Sequence, residues 1–215
     1  MNVEGTKITL EDCLHARESS WVFACTHRGR PCVLKIDSRS VDLSQLCNEH
    51  DVLQHLGDIE GVPTLEAFET TATASMSVLS PRGVTLANCS TLSPDRLEAV
   101  CRAVVHVLQM VHKRGFVHAD ICPDNIIITP CGGVCVIDWG VSRRCGTLTV
   151  FAGRRAFASD TRLACLVDGQ PRSLLPHDDF EALLHTRDSL LGRSRRTYNF
   201  PLTAETTAIL LSHEE

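Results

Sequence analysis

The 215-residue sequence has no apolar run approaching the length of a membrane span, and Met1 to Leu10 lacks the apolar core of a signal peptide. Neither membrane association nor export is expected, which leaves an intracellular protein, cytoplasmic or nuclear. A basic surplus is missing too. The formal net charge is −5, the wrong sign for a general nucleic-acid binder. No internal repeat or low-complexity tract interrupts the chain. Cysteine is the opposite case: eleven is a high and odd count. Without an export signal, these thiols read as reduced, mostly buried small hydrophobes. Cys131 and Cys135 form the closest pair, but no second Cys/His pair is spaced to complete a zinc site. What remains is ordinary globular composition, 43% hydrophobic and 22% charged, in a length suited to one large domain or two small lobes sharing a cleft.

Residues 8–36 read as three strands: Ile8–Leu10, Trp21–Cys25 and Pro31–Ile36, the last two joined by a loop over Thr26–Arg30 that contains Gly29. Leu46, Leu53 and Leu56 recur at helical spacing and predict an amphipathic helix over 42–56. Glu49 lies four residues before Leu53 on the same face, where it can turn inward toward Lys35 at the end of the third strand. The plainer alternative leaves Glu49 on the helix surface and Lys35 as a solvated charge. After Gly57–Pro63 a second hairpin is expected, Thr64–Phe68 with Ser75–Leu79, and Ser80-Pro81-Arg82-Gly83 then breaks the chain. Ser93 as cap and Pro94 at the first position start a long helix. Its buried stripe is Leu97, Val100, Cys101, Val104, Val107, Leu108 and Val111, and it runs to about Arg114, with Gly115 as C-cap.

The stretch after that helix carries the chemistry: His118-Ala119-Asp120-Ile121-Cys122-Pro123-Asp124-Asn125, three isoleucines, then Ile137-Asp138-Trp139-Gly140. Two short apolar strands, Ile126–Ile128 and Val134–Ile137, are joined by a turn over Thr129–Gly133. A hairpin of that size brings Asn125 and Asp138 together at one end of the pair. Two oxygen ligands converging there suit Mg²⁺, a hard ion usually held by one or two protein ligands plus substrate phosphates. Asp120, on the preceding loop, is placed to accept a proton from an incoming hydroxyl. The alternative treats His118 and Asp138 as ordinary loop polars beside a hydrophobic hairpin.

The H-x-D-x-x-x-x-N and D-W-G segments at this spacing resemble the catalytic loop and metal-binding motif of eukaryotic-type protein kinases, and the resemblance covers nearly the whole chain. It implies an α+β, two-lobed protein-kinase-like fold in one domain spanning 1–215. The N-lobe, small and mostly antiparallel β with one helix, would occupy about 1–79, the hinge about 80–83, and a shortened, mainly α C-lobe about 84–215. It implies ATP and Mg²⁺ as cofactors and transfer to protein serine or threonine. Val33-Leu34-Lys35-Ile36 resembles the strand whose lysine binds the α/β-phosphates, with Glu49 as its partner. Val22, Leu79 at the back of the adenine pocket, and Arg82 would surround the nucleotide. Asn125 and Asp138 would hold the metal, and Asp120 would be the catalytic base. Gly153–Ser159 resembles a segment of casein-kinase-one and vaccinia-related kinases, with Arg154 where threonine is usual. His177–Leu183 resembles their helix start, in which Asp179 holds the catalytic loop from below. The other reading of Asp179 is a helix cap.

The departures matter as much. The lid's glycine positions, counted back from Val22, hold His15, Arg17 and Ser20, none with glycine's conformational freedom. Ala119 replaces the arginine that reads a phosphorylated activation loop, so control by loop phosphorylation is not expected. Cys122 replaces a lysine near the γ-phosphate, and one electrostatic stabiliser of this kind is worth about 10²–10³ in rate. These changes point to a slow enzyme or to a pseudokinase that acts by binding, while the retained minimal catalytic set favours the enzyme. A small-molecule phosphotransferase is a third reading, against which Gly153–Ser159 and Asp179 count. Arg143, Arg144, Arg154 and Arg155 suit an acidic or already phosphorylated protein substrate, or form a solvated charged face. Beyond Leu191 a basic turn (Arg193, Arg195, Arg196) and one helix from about Thr203 to Ser212 are expected. Leu184, Leu190, Leu191, Ile209 and Leu210 would leave an apolar patch for a protein partner. The compact size and eroded lid suggest a fast-diverging relative, viral among the options.

Overall fold

The computed structural model describes residues 1–38, 45–89, 92–200 and 202–212. β1 (Asn2–Val3), β2 (Thr6–Arg17), β3 (Ser20–His27) and β4 (Arg30–Asp37) form an antiparallel meander. α1 (Gln45–Leu56) crosses over, and β5 (Thr64–Thr70) and β6 (Ser75–Ser80) complete a six-stranded sheet in the order β1-β2-β3-β4-β6-β5. The expected helix start at 42 lies outside the described residues. The loop expected over 26–30 tightens to two residues, Arg28 and Gly29, with φ of 49° and 74°. That left-handed pair matches the twist of an antiparallel hairpin, and glycine supplies it at no steric cost.

Strict alternation sorts the sheet into two faces. Val22 pairs with Lys35 and Lys35 with Ser77, while Ala24 pairs with Val33 and Val33 with Leu79. Those six side chains therefore share one face. Phe23, Cys25, Cys32, Leu34, Ile36, Met76 and Val78 share the other, where they pack with Val3, Ile8 and Ala67 into a core of their own. A strand shifted by one residue would bury Lys35 there, so the apolar face fixes where the lysine points.

The second lobe is built on α2 (Pro94–Lys113). Ser93 Oγ accepts the Arg96 N–H at 3.2 Å and Pro94 opens the first turn, as expected. The predicted stripe is buried along its length. The helix ends at Lys113 with Arg114 as its cap, one residue earlier than expected, and Gly115 follows in the left-handed region at φ 79°. β8 (Phe116–Val117), β9 (Ile126–Ile128) and β10 (Val134–Val136) come next, with β9 and β10 paired as the predicted hairpin. β7 (Val84–Thr85), just after the interlobe break, adds to β9. At Gly83 a Cβ would lie 2.5 Å from Ile128 O, so only glycine lets the break lie this close to the hairpin. β11 (Arg143–Arg144) pairs with β8, and β12 (Leu148–Thr149) with β13 (Arg172–Ser173). The helices α3 (Asp160–Asp168), α4 (Pro176–Leu190) and α5 (Ala204–Ser212) complete the described chain.

One large core joins α2, α4 and α5 to Val52, Leu53 and Leu56 of α1 and to Leu79 of β6. Burying each such aliphatic side chain contributes roughly 1.5–3 kcal/mol, so this shared core holds the sheet and α1 to the second lobe. The apolar patch expected around Leu184 is smaller than predicted. Leu184 is wholly interior and Leu191 and Leu210 pack against the core, leaving Leu190 and Ile209 exposed. α4 turns Leu184 inward against α2, a direction that composition alone does not give. All eleven cysteines are free thiols, and Cys25, Cys32, Cys101, Cys122, Cys135 and Cys165 are buried. Among the described residues no helix is long and apolar enough to cross a membrane.

Candidate active site

Lys35 reaches from β4 into the gap between the lobes. Its Nζ donates to both oxygens of Glu49 at 2.9 Å and to Asp138 Oδ1 at 3.1 Å. Glu49 is therefore turned inward and buried, not left on the helix surface. Burial alone would lower the Lys35 pKa, but the Asp138 and Glu49 carboxylates outweigh it and hold the ammonium above its ordinary value. The same charge, Lys35 first, holds Asp138 below the usual carboxylate range against the opposing effect of burial. Val22 and Leu79 lie on the face of the sheet that carries Lys35. Arg82 is turned back onto the sheet, its Nη1 2.6 Å from Glu11 Oε2, while Glu11 Oε1 accepts the Thr26 hydroxyl at 2.6 Å.

The Asp120 loop is held from three directions. Asp179, on α4, accepts the backbone N–H of His118 at 2.8 Å and of Ala119 at 2.9 Å, and His112 Nε2 lies 2.9 Å from it. The structural role expected of Asp179 is thus observed, and the first-turn capping bond on α4 comes from Asp178, whose Oδ2 accepts Leu175 N at 2.8 Å. Burial would raise the Asp179 pKa, but these donors and the neighbouring histidines bring it below the ordinary value. His118 is fully buried. Its Nδ1 accepts the Asp120 N–H at 3.2 Å, so Nε2 donates to Ile137 O at 3.0 Å and ties the Asp120 loop to the strand end before Asp138. Ala119 and Asp138 both take φ of 69°, a left-handed conformation that costs a residue with a Cβ about 1–2 kcal/mol. Strain of this kind persists where surrounding bonds over-determine the backbone, as here.

Asn125 lies where the hairpin argument puts it. Ile137 N donates to Asn125 O at 2.9 Å, which sets Asn125 beside the Asp138 end of the pair. Its Nδ2 donates to Asp120 O at 2.8 Å and to Asp120 Oδ2 at 3.0 Å. Committing the amide nitrogen to Asp120 leaves Oδ1 free to act as an acceptor, and the Asp138 carboxylate at the same end of the hairpin is half-exposed. Two hard oxygen donors fit Mg²⁺ completed by phosphates and water. Among the described residues no group of three or more His, Cys, Asp or Glu converges into a metal site, so a metal here would take most of its shell from outside the chain. Asp120 is raised above the ordinary carboxylate range by burial, which His118 and Arg154 partly offset.

Trp139 and Gly140 of the D-W-G segment, and Asn48, which the sequence did not single out, complete the arrangement. Trp139 donates its backbone N–H to Glu49 Oε1 at 3.0 Å. Asn48, beside Glu49 on α1, donates its amide to Trp139 O, Gly140 O and Ser142 O at 3.0–3.3 Å. A Cβ at Gly140 would sit 2.8 Å from Gln45 Cβ, which is why this loop can lie against α1. An asparagine in mid-helix is a poor helix former, and that was the one available signal for Asn48.

The profile of the protein kinase domain family matches residues 18–169. This chain belongs to that family. The kinase domain is similar to casein kinase I homolog 3 of Schizosaccharomyces pombe, 25% identical over 54% of this chain and 28% of that protein. Shorter matches are 41% identity with the probable serine/threonine-protein kinase CE0033 of Corynebacterium efficiens, over 24% of this chain and 8% of that one. The serine/threonine-protein kinase PknA of Mycobacterium tuberculosis is 45% identical over 23% of this chain and 10% of that one. The chain thus spans a small part, 28% at most, of the length of these three relatives.

The departures from the family pattern have structural forms in this kinase domain. The lid is a tight hairpin, paired through His15↔Val22, Ala16↔Trp21 and Arg17↔Ser20, with Glu18 and Ser19 as its tip. Cys122 is fully buried, and burial pushes its thiol up to about 12, so it is uncharged.

Proposed function

We propose that this kinase domain transfers the γ-phosphoryl group of Mg-ATP to a serine or threonine hydroxyl of a protein, with residues 1–215 working as one unit hinged at 80–83. The observation that carries the reading is Lys35 bonded at once to Glu49 and, 103 residues away, to Asp138. That contact supports the reading because it joins a cation suited to phosphate, a carboxylate suited to positioning it and a second carboxylate suited to a metal. Lys35 would hold the α/β-phosphates, and Val22 and Leu79 would contact the adenine. Asn125 and Asp138 would hold Mg²⁺, which when bound neutralises charge on the β- and γ-phosphate oxygens. Asp120 would take the hydroxyl proton as the substrate oxygen bonds to the γ-phosphorus. The bond from that phosphorus to the bridging oxygen breaks, and its electron pair leaves with ADP. Both Asp120 oxygens already accept one donor, Arg154 N at 2.9 Å and Asn125 Nδ2 at 3.0 Å, and these fix the carboxylate while leaving acceptor capacity for the hydroxyl. The exposed Arg143, Arg144 and Arg155 favour an acidic or phosphorylated protein substrate.

The glycine-free, fully paired lid favours a second reading, a pseudokinase that binds a partner without turnover. Phosphate transfer to serine/threonine peptides and thermal shift with Mg-ATP, on the wild type and on Asp138→Ala, separate the two. Transfer that Asp138→Ala abolishes in a still-folded protein establishes the first reading. Nucleotide-dependent stabilisation without transfer establishes the second.

A further inference from the structure

Around Asp120 the charge is unbalanced. Lys35 is already committed to two carboxylates, and Cys122, two residues after Asp120, is neutral and buried. Yet negative charge spreads over the oxygens of a transferring phosphoryl group and has to be met at that point. The segment after β12 supplies what the Asp120 loop lacks. Gly153, at φ 100°, lies directly on that loop: a Cβ there would sit 2.8 Å from Ala119 O and 2.9 Å from Asp120 Oδ1. The close approach seats Arg154 N at 2.9 Å from Asp120 Oδ1. The guanidinium is anchored through Nη1 by Asp124, and its charge also lowers the pKa of Asp120, Asp138 and Cys122. A guanidinium has five N–H donors in a fixed fork, so one anchored nitrogen leaves others that match phosphate oxygens.

We propose that Arg154 is a catalytic residue of this kinase domain, the cation that contacts the transferring phosphoryl group. This rests on the phosphoryl-transfer reading above. As Asp120 takes the hydroxyl proton and the bond to the ADP oxygen breaks, the Arg154 fork bonds the phosphoryl oxygens; it neither gains nor loses a proton. The contact is worth most when charge is spread over those oxygens, so it lowers the barrier more than it tightens binding of the nucleotide.

The test uses the full chain and the pair Arg154→Gln and Arg154→Lys, both of which keep the backbone N–H that Asp120 accepts. Two affinities are measured for each protein by calorimetry, for Mg-ADP and for Mg-ADP with aluminium fluoride, which mimics the phosphoryl group in flight; transfer rate is measured alongside. The expected result is unchanged Mg-ADP affinity in all three proteins. Arg154→Gln loses tenfold or more of its affinity for the aluminium fluoride complex and about 10²–10³ in transfer rate, and Arg154→Lys retains most of both. Equal affinity of wild type and Arg154→Gln for the fluoride complex, in a wild type that does transfer phosphate, overturns the role of Arg154 alone. So does Arg154→Lys failing as badly as Arg154→Gln. A wild type that neither transfers phosphate nor prefers the fluoride complex over Mg-ADP overturns the phosphoryl-transfer reading and the role of Arg154 with it.

Discussion

Trp139 donates its backbone N–H to Glu49 Oε1 at 3.0 Å, so the carboxylate that holds Lys35 also holds the loop carrying Asp138. One buried side chain on α1 therefore sets the distance between Lys35 and the Asp138 carboxylate. Glu49→Ala is expected to cost on the order of 3 kcal/mol in urea denaturation, the range for breaking one partner out of a buried ion pair. It should also weaken Mg-ATP binding at least tenfold in calorimetry. A stability loss with nucleotide affinity intact would show that Glu49 braces the fold without positioning Lys35.

Asn48 clamps the same loop through three carbonyls. Asn48→Ala leaves those carbonyls without that donor and should cost about 1–3 kcal/mol. Asn48→Asp should cost more, because a carboxylate would face three carbonyl oxygens. Hydrogen exchange at residues 139–142 is expected to quicken in both variants while exchange in α2 does not; uniform acceleration would contradict a local clamp.

Asp179 makes a pH-dependent contribution. Its pKa in the folded protein lies below the ordinary value, where burial is outweighed by the bond from His112 and the nearby histidines. The stabilisation is therefore present above the pKa of an unfolded aspartate, about 3.9, and is lost as pH falls through the lower folded value. Asp179→Asn should cost about 2–4 kcal/mol at pH 7, and the gap to wild type should close in strong acid. A gap that is the same at every pH would mean the charge contributes nothing.

Glu181 has the opposite sign. Burial raises its pKa to about 7, although the Asp160 N–H and Arg195 pull the other way. A raised carboxylate favours the fold while neutral, so the benefit is present below the unfolded pKa, about 4.3, and is lost as pH rises through about 7. Glu181→Gln should exceed wild type by about 2 kcal/mol at pH 8, roughly 4–8 °C in Tm, and match it near pH 4. Equal melting curves at pH 8 would refute this.

Asp120 should show in the pH–rate profile. Burial raises its pKa above that of an ordinary carboxylate, and His118 and Arg154 lower it in part. Transfer is expected to fall on the acid side as the base is protonated, at a higher pH than an unperturbed aspartate would give. Arg154→Gln should move that limb further upward, since the opposing guanidinium charge is gone. A limb that stays in place would mean it does not report Asp120.

Much of this kinase domain is local and could be read from the chain alone. The β9–β10 hairpin follows from two apolar runs around a Thr-Pro-Cys-Gly-Gly turn, and the start of α2 from Ser93 and Pro94. The residue types of Asp120, Asn125 and Asp138 at their spacing carried the family resemblance, because a catalytic loop and the hairpin behind it are short-range structures. What the tertiary structure alone decided joins segments far apart in the chain. Glu49 turns inward, Asn48 meets three carbonyls some ninety residues away, Leu184 faces the core, and Arg154 lies on Asp120. Periodicity and turn chemistry act over a few residues and say which face is apolar. They do not say which distant backbone that face will meet, because that depends on how the sheet and the helices close on one shared core.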